Sequence, residues 1–151
     1  MLNTSTLKVK FLNVDTLNEE GKDIVLIAEP NYNKNHKLLG LKSNLYSVIN
    51  GADLAMCYKE HLKIDLLYNS NCMIISKIAD VFLIACYWSP NVTNEEISQK
   101  IDELEQYIFK NKINKQKLIL LGDFNSRSSL YEKLYNISYN KIRGQIFEEF
   151  I

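Results

Sequence analysis

Three short apolar runs, each cut off by polar residues, constrain this 151-residue chain more than any other feature. DIVLIA at 23–28 runs into Glu29-Pro30, VFLIACYW at 81–88 into Ser89-Pro90-Asn91, and LILL at 118–121 into Gly122-Asp123-Phe124-Asn125. Continuous apolar stretches of this length fit strands covered on both faces. Pro30 lacks a ladder donor and so terminates the first of them. Polar side chains therefore stand at the C-terminal ends of buried strands. If the chain stays extended past Gly122, Asp123 and Asn125 share a face while Phe124 turns into the core. The same residue types also suit a plain turn.

The remaining pattern alternates strands with helices. Leu7 to Val14 alternates with Leu7, Val9, Phe11 and Asn13 on one face, so Asn13 closes a buried stripe with an amide. Met73–Ile78 and Val81–Trp88 form a hairpin across Ala79 and Asp80. Thr93 followed by Glu96 makes a capping box, and Ile97, Ile101, Leu104 and Ile108 recur at helical spacing, which predicts an amphipathic helix packed on a sheet. Ile146, Phe147, Phe150 and Ile151 suggest a short closing helix. The order implies a layered α/β or α+β fold.

Composition narrows the function classes. Lys plus Arg and Asp plus Glu are 18 each, so net charge alone points to no polyanionic partner. Lys110, Lys112, Lys115 and Lys117 cluster where a helix C-terminus favours cations. Cys57, Cys72 and Cys86 are odd in number and lie in apolar stretches, which predicts reduced thiols and an intracellular setting, nuclear or cytoplasmic. No apolar run approaches the roughly 20 residues of a membrane span, and the N-terminus lacks the apolar core of a secretory signal. His36 and His61 are expected on the surface. The five glycines are not clustered, which argues against a glycine-rich phosphate loop.

The strand ends deliver Asn13, Glu29, Tyr87 with Asn91, and Asp123 with Asn125. Open α/β folds bind ligands outside the carboxyl ends of their strands. A divalent ion that keeps several waters needs only one or two carboxylates plus phosphate oxygens, a demand that Glu29 and Asp123 can meet.

The segments FLNV, IVLIAEP, ACYWSPN and LILLGDFNS, in that order, resemble the endonuclease/exonuclease/phosphatase superfamily of DNase I-like and AP-endonuclease-like phosphodiesterases. More narrowly, EPNY at 29–32, YWSPN at 87–91, GDFNSRSS at 122–129 and RGQIFEEFI at 143–151 are similar to the endonuclease domain of non-LTR (LINE-type) retrotransposon proteins. The resemblance implies the N-terminal portion of a two-sheet, four-layer α/β sandwich that nicks DNA with Mg²⁺ or Mn²⁺. On that resemblance Glu29 holds the metal with Asn13 beside it, Asp123 orients or activates the water, and Asn125 donates to a phosphate oxygen. Tyr87 stabilises the transition state, and Asn91 supports its loop. DNA is the implied partner, with a C-terminal half or a reverse transcriptase domain as further ones. The alternative is a non-catalytic remnant that binds metal or nucleic acid weakly.

Three departures qualify the resemblance. Only Asp15 to Lys22 stand where the family has a helix between its first two strands, and Tyr131-Glu132 stands where it has Trp-Gly. Its Ser-Asp-His motif does not occur among the 151 residues. The chain is therefore expected to be a truncated domain spanning 1–151, carrying about half a site and not cleaving DNA alone. A face of apolar side chains is expected to lack the sheet that would cover it.

Overall fold

The computed structural model describes residues 9–11, 23–39, 46–125 and 146. Two compact units emerge, one of residues 1–87 with 115–122 and the other of 88–114 with 123–151.

The first unit is built on two four-stranded sheets. In one, β1 (Val9–Phe11), β2 (Ile24–Ala28), β3 (Tyr46–Asn50) and β4 (Leu54–Lys59) lie in the order β1-β2-β4-β3. β1 runs parallel to β2 with Val9 opposite Ile24, whereas β2 and β4 are antiparallel with Ile24 opposite Tyr58 and Ala28 opposite Leu54. Residues 12 to 23 join the parallel pair, about the dozen that a crossover requires, so the short connection is workable. Lys59 and Asp23 close one end of this sheet with an ion pair of 3.2 Å.

The other sheet orders β5 (Ile64–Asn69), β6 (Met73–Ile78), β7 (Val81–Tyr87) and β8 (Leu118–Asp123) in sequence. β6 and β7 form the expected hairpin, with Ile78 opposite Val81 and Ala79 at φ 55 in the turn.

Alternation along β2 explains why its run is apolar throughout. Ile24 and Leu26 face Leu54, Met56, Ile74, Ile78, Leu83, Ala85 and Tyr87 in a core shared by both sheets. Val25 and Ile27 face the other way, onto Ala55, Cys57 and Leu38. The expectation of an apolar face without a covering sheet is thereby overturned. β5 and β6, from residues 64–78, belong to a second sheet whose inner face packs on the first. β8 remains half-buried, the last strand of its sheet among the described residues.

Three strands, β3 to β5, were not among the sequence expectations. β4, LAMCYK, uses Ala, Met and Cys in place of β-branched residues, so its signal is weak although Leu54 to Cys57 are fully buried. β5, IDLLYN, follows no alternation. Among the described residues it is an edge strand, its register shifts between Leu66 and Tyr68, and Leu66, Leu67 and Tyr68 stay exposed. A bulge of this kind twists an edge away from pairing with other chains.

In the second unit, α1 spans Asn94–Lys110. Thr93 caps it as expected: its Oγ1 accepts from the Glu96 N–H at 3.2 Å, and the Glu96 carboxylate accepts from the Thr93 N–H at 2.8 Å. The Thr93 N–H, and after it the Thr93 hydroxyl, hold the Glu96 carboxyl below its ordinary range. Ile97, Ile101, Leu104 and Ile108 are the buried face, and Ile97 and Ile101 pack with Trp88, Val92, Phe124 and Ile146. Ile146 is helical, in line with the closing helix, while Phe147, Phe150 and Ile151 lie outside the described residues. Among the described residues no helix is long and apolar enough to cross a membrane.

Candidate active site

Glu29 is the first residue past β2, and its backbone turns into the left-handed region at φ 50. A residue with a Cβ pays for that conformation, about 1–3 kcal/mol in sparsely populated regions, and holds it only where neighbours fix it. Here the Glu29 N–H donates to the Asp53 carbonyl at 2.9 Å, and the Tyr87 hydroxyl donates to Glu29 Oε1. The carboxylate is exposed, whereas Tyr87 is 5 % exposed.

The position of Tyr87 follows from the two-residue period of β7. Leu83, Ala85 and Tyr87 all face the inter-sheet core, so the last of them lays its ring between the sheets with its tip at the end of β2. The Tyr87 N–H is anchored on the Cys72 carbonyl at 2.8 Å. The ring is apolar along its body and polar at its tip, which suits a residue that both fills a core and grips a carboxylate. The sequence brought both residues forward separately and did not pair them.

The second unit carries the other strand-end residues. The Trp88 N–H donates to the Asp123 carbonyl at 2.8 Å. Phe124 turns inward as expected and meets Trp88 edge-on, with ring centroids 4.8 Å apart. Extended alternation fails at the next residue. Asn125 adopts φ 44, its N–H donates back to Asp123 Oδ1 at 3.0 Å, and its side-chain amide donates to the Trp88 carbonyl at 2.8 Å. The chain turns here because a short amide side chain tolerates the left-handed region. Asp123 and Asn125 are brought together by that turn rather than by strand pleating, and both are exposed.

Asn91 is exposed in the loop after β7, its N–H 3.4 Å from Ser89 Oγ. Asn13 lies outside the described residues. His36 and His61 are exposed, as expected. The three cysteines form no disulfide; Cys57 and Cys86 are buried and Cys72 partly so. Residues that the sequence reading did not bring forward to the site hold this pair: the Asp53 carbonyl of the β3–β4 loop accepts from Glu29, the Cys72 carbonyl of the β5–β6 turn accepts from Tyr87, and Gly51 lies against the Ser70 and Asn71 carbonyls. The Asn50-Gly51 pair was a visible turn signal, but nothing in it named what the turn supports.

Solved structures share this arrangement of two packed sheets. The chain has the DNase I-like fold. It is similar to the endonuclease domain of TRAS1, a telomere-specific non-LTR retrotransposon, at 16% identity and a TM-score of 0.65, over 94% of this chain and 67% of that one. It is similar to the 3'-5' exonuclease NExo from Neisseria meningitidis at 16% identity and a TM-score of 0.65, over 95% and 70%. An AP endonuclease from Archaeoglobus fulgidus follows at 15% identity and a TM-score of 0.60, over 95% and 69%. The sequence matches no protein-family model and no curated protein.

On this DNase I-like scaffold, the donors can be set against what a cation needs. Among the described residues no group of three or more His, Cys, Asp or Glu converges, so no all-protein cage of the zinc type is formed. A hard divalent ion such as Mg²⁺ asks for less, one or two carboxylates with water and phosphate oxygens completing its shell. An exposed carboxylate fixed at a strand end, with Oε1 already oriented by a phenol, meets that demand.

Proposed function

We propose that the chain carries the metal-binding part of a phosphodiesterase site acting on DNA, of the kind found in non-LTR retrotransposon endonucleases. The observation that carries this reading is the Tyr87–Glu29 hydrogen bond, which spends backbone strain and a core aromatic on the placement of one exposed carboxylate. An endonuclease, an exonuclease and an AP endonuclease share the fold, which supports a nuclease-like role.

In this reading Glu29 holds Mg²⁺ or Mn²⁺, with Asn13 beside it. When bound, the ion neutralises the phosphodiester and lowers the cost of attack by water. Tyr87 keeps the carboxylate oriented and its own hydroxyl close to the developing charge. Asp123 orients or activates the water, Asn125 donates to a phosphate oxygen when its amide leaves the Trp88 carbonyl, and Asn91 supports the loop after β7. The 151 residues contain no Ser-Asp-His sequence to serve as general base or phosphate contact. Loss of such a group costs roughly 10² to 10⁴-fold, so the chain by itself is expected not to turn over.

The test is a plasmid-nicking assay in Mg²⁺ together with binding of Mn²⁺ and of duplex DNA. Supercoiled plasmid stays intact, Mn²⁺ binds, and Glu29→Ala abolishes that binding. Nicking that disappears in Asp123→Ala would show that these residues suffice for catalysis. Failure of wild-type chain to bind either ligand would favour the inert remnant.

A further inference from the structure

The two residues of the Glu29–Tyr87 pair are anchored through their backbones to one small lattice of loops. The Glu29 N–H donates to the Asp53 carbonyl at 2.9 Å, and the Asp53 N–H donates to the Asn71 carbonyl at 2.8 Å. The very next carbonyl, Cys72, takes the Tyr87 N–H at 2.8 Å. The Ser70–Cys72 turn therefore holds Tyr87 directly and Glu29 through one intermediary. How far the β3–β4 loop stands from this turn sets how far Glu29 stands from Tyr87.

Gly51 controls that spacing. A Cβ built on it would lie 2.7 Å from the Leu54 carbonyl oxygen, 2.8 Å from that of Ser70 and 3.1 Å from that of Asn71. All three are backbone atoms, which cannot swing aside as a flexible side chain does. The same glycine is gripped from other directions. Its N–H donates to the Leu54 carbonyl at 2.8 Å, its carbonyl accepts the Tyr32 hydroxyl at 2.8 Å, and the neighbouring Asn50 carbonyl accepts from the Asn69 amide at 3.1 Å. Tyr32 lies in the segment that begins at Glu29, so its bond ties that segment to the same point. Glycine here is required for close approach of two backbones.

We propose that Gly51 is a positioning residue for the Glu29–Tyr87 pair: by letting the β3–β4 loop sit against the Ser70–Cys72 turn, it sets the distance at which the phenol reaches the carboxylate. Its functional meaning rests on the reading of Glu29 as the cation ligand; its geometry does not. A Cβ at position 51 pushes the two loops apart, and the hydroxyl loses its acceptor. Tyr32→Phe, which removes one tether without crowding, loosens the same lattice more gently.

Fluorotyrosine placed at position 87 of the full, metal-free chain reports the contact by its fluorine NMR shift at a single pH, with Glu29→Ala defining the position of an unpaired phenol. Gly51→Ala should move the resonance more than halfway to that reference, and Tyr32→Phe should move it in the same direction by less. A purely structural glycine would lower the melting temperature and leave the resonance where it is. A folded Gly51→Ala chain with the parent shift overturns the proposal. If Gly51→Ala does not fold, an unmoved Tyr32→Phe overturns it. A Glu29→Ala chain that keeps the parent shift also overturns it, since there is then no pair to position. Mn²⁺ binding separates this from the reading above: if Gly51→Ala moves the resonance while Glu29→Ala binds Mn²⁺ as tightly as the parent, the positioning stands and the cation assignment falls.

Discussion

The hydroxyl of Tyr87 donates to the carboxylate of Glu29, a residue 58 positions earlier in the chain. One partner ends β7 in one sheet and the other follows β2 in the opposite sheet, so the bond exists only when both sheets have packed.

Tyr87→Phe tests what that bond contributes. The ring keeps its place in the core, and only the hydroxyl is lost. Hydrogen bonds to charged groups contribute about 1.5–3 kcal/mol, and exposure of the Glu29 carboxylate puts this one at the low end. The urea midpoint should fall with an unchanged denaturant slope. A variant as stable as the parent would show that water replaces the bond at no cost.

Alkaline pH should weaken the fold through Cys57. Burial pushes its thiol up from 9.0 to about 12. Below pH 9.0 the thiol is protonated in both states and stability is unaffected by it; between 9.0 and about 12 the unfolded chain releases a proton that the folded chain keeps. Stability therefore falls as pH rises through that window, by up to about 1.4 kcal/mol per unit. Tyr32 and Tyr46, raised chiefly by burial, act with the same sign at higher pH. Denaturant midpoints measured at about pH 8 and about pH 10 should show a smaller drop for Cys57→Ala than for the parent. Equal drops would mean that the thiol is not shielded.

Ser76 offers a gain in stability. It is fully buried on the inward face of β6 between Ile74 and Ile78, with its Oγ 4.0 Å from Met56 Sδ. Thioether sulfur is a weak acceptor, and a buried hydroxyl without a good partner costs roughly 1–3 kcal/mol. Ser76→Ala removes the unrewarded oxygen and leaves a void smaller than a methyl group. Thermal melts should show stabilisation by about 0.5–2 kcal/mol. A loss of about 1 kcal/mol or more would mean that the hydroxyl is better satisfied than its sulfur contact suggests.

What the sequence determined by itself was whatever depends on near neighbours. The apolar runs at 23–28, 81–88 and 118–121 had to be strands, the two-residue link at Ala79-Asp80 had to be a hairpin, and Thr93 with Glu96 had to start a helix, because period, turn chemistry and capping act over a few residues; that the run at 118–121 is only half covered was not legible. Glu29, Tyr87, Asp123 and Asn125 were legible as strand-end polar residues for the same reason. Tertiary structure decided the rest. β4 and β5 carry too little local signal to announce themselves, since Ala, Met and Cys become strand residues only when a strand on each side accepts them, and β5 is placed by its pairing with β6 and by Ile64 against the core. The reach of Tyr87 to Glu29, and the fit of Gly51 against the Ser70–Cys72 turn, depend on how two sheets stack and on where distant carbonyls come to rest. Those are distances between residues far apart in the chain, set by the packing of side chains in a shared core, and local preferences carry no record of them.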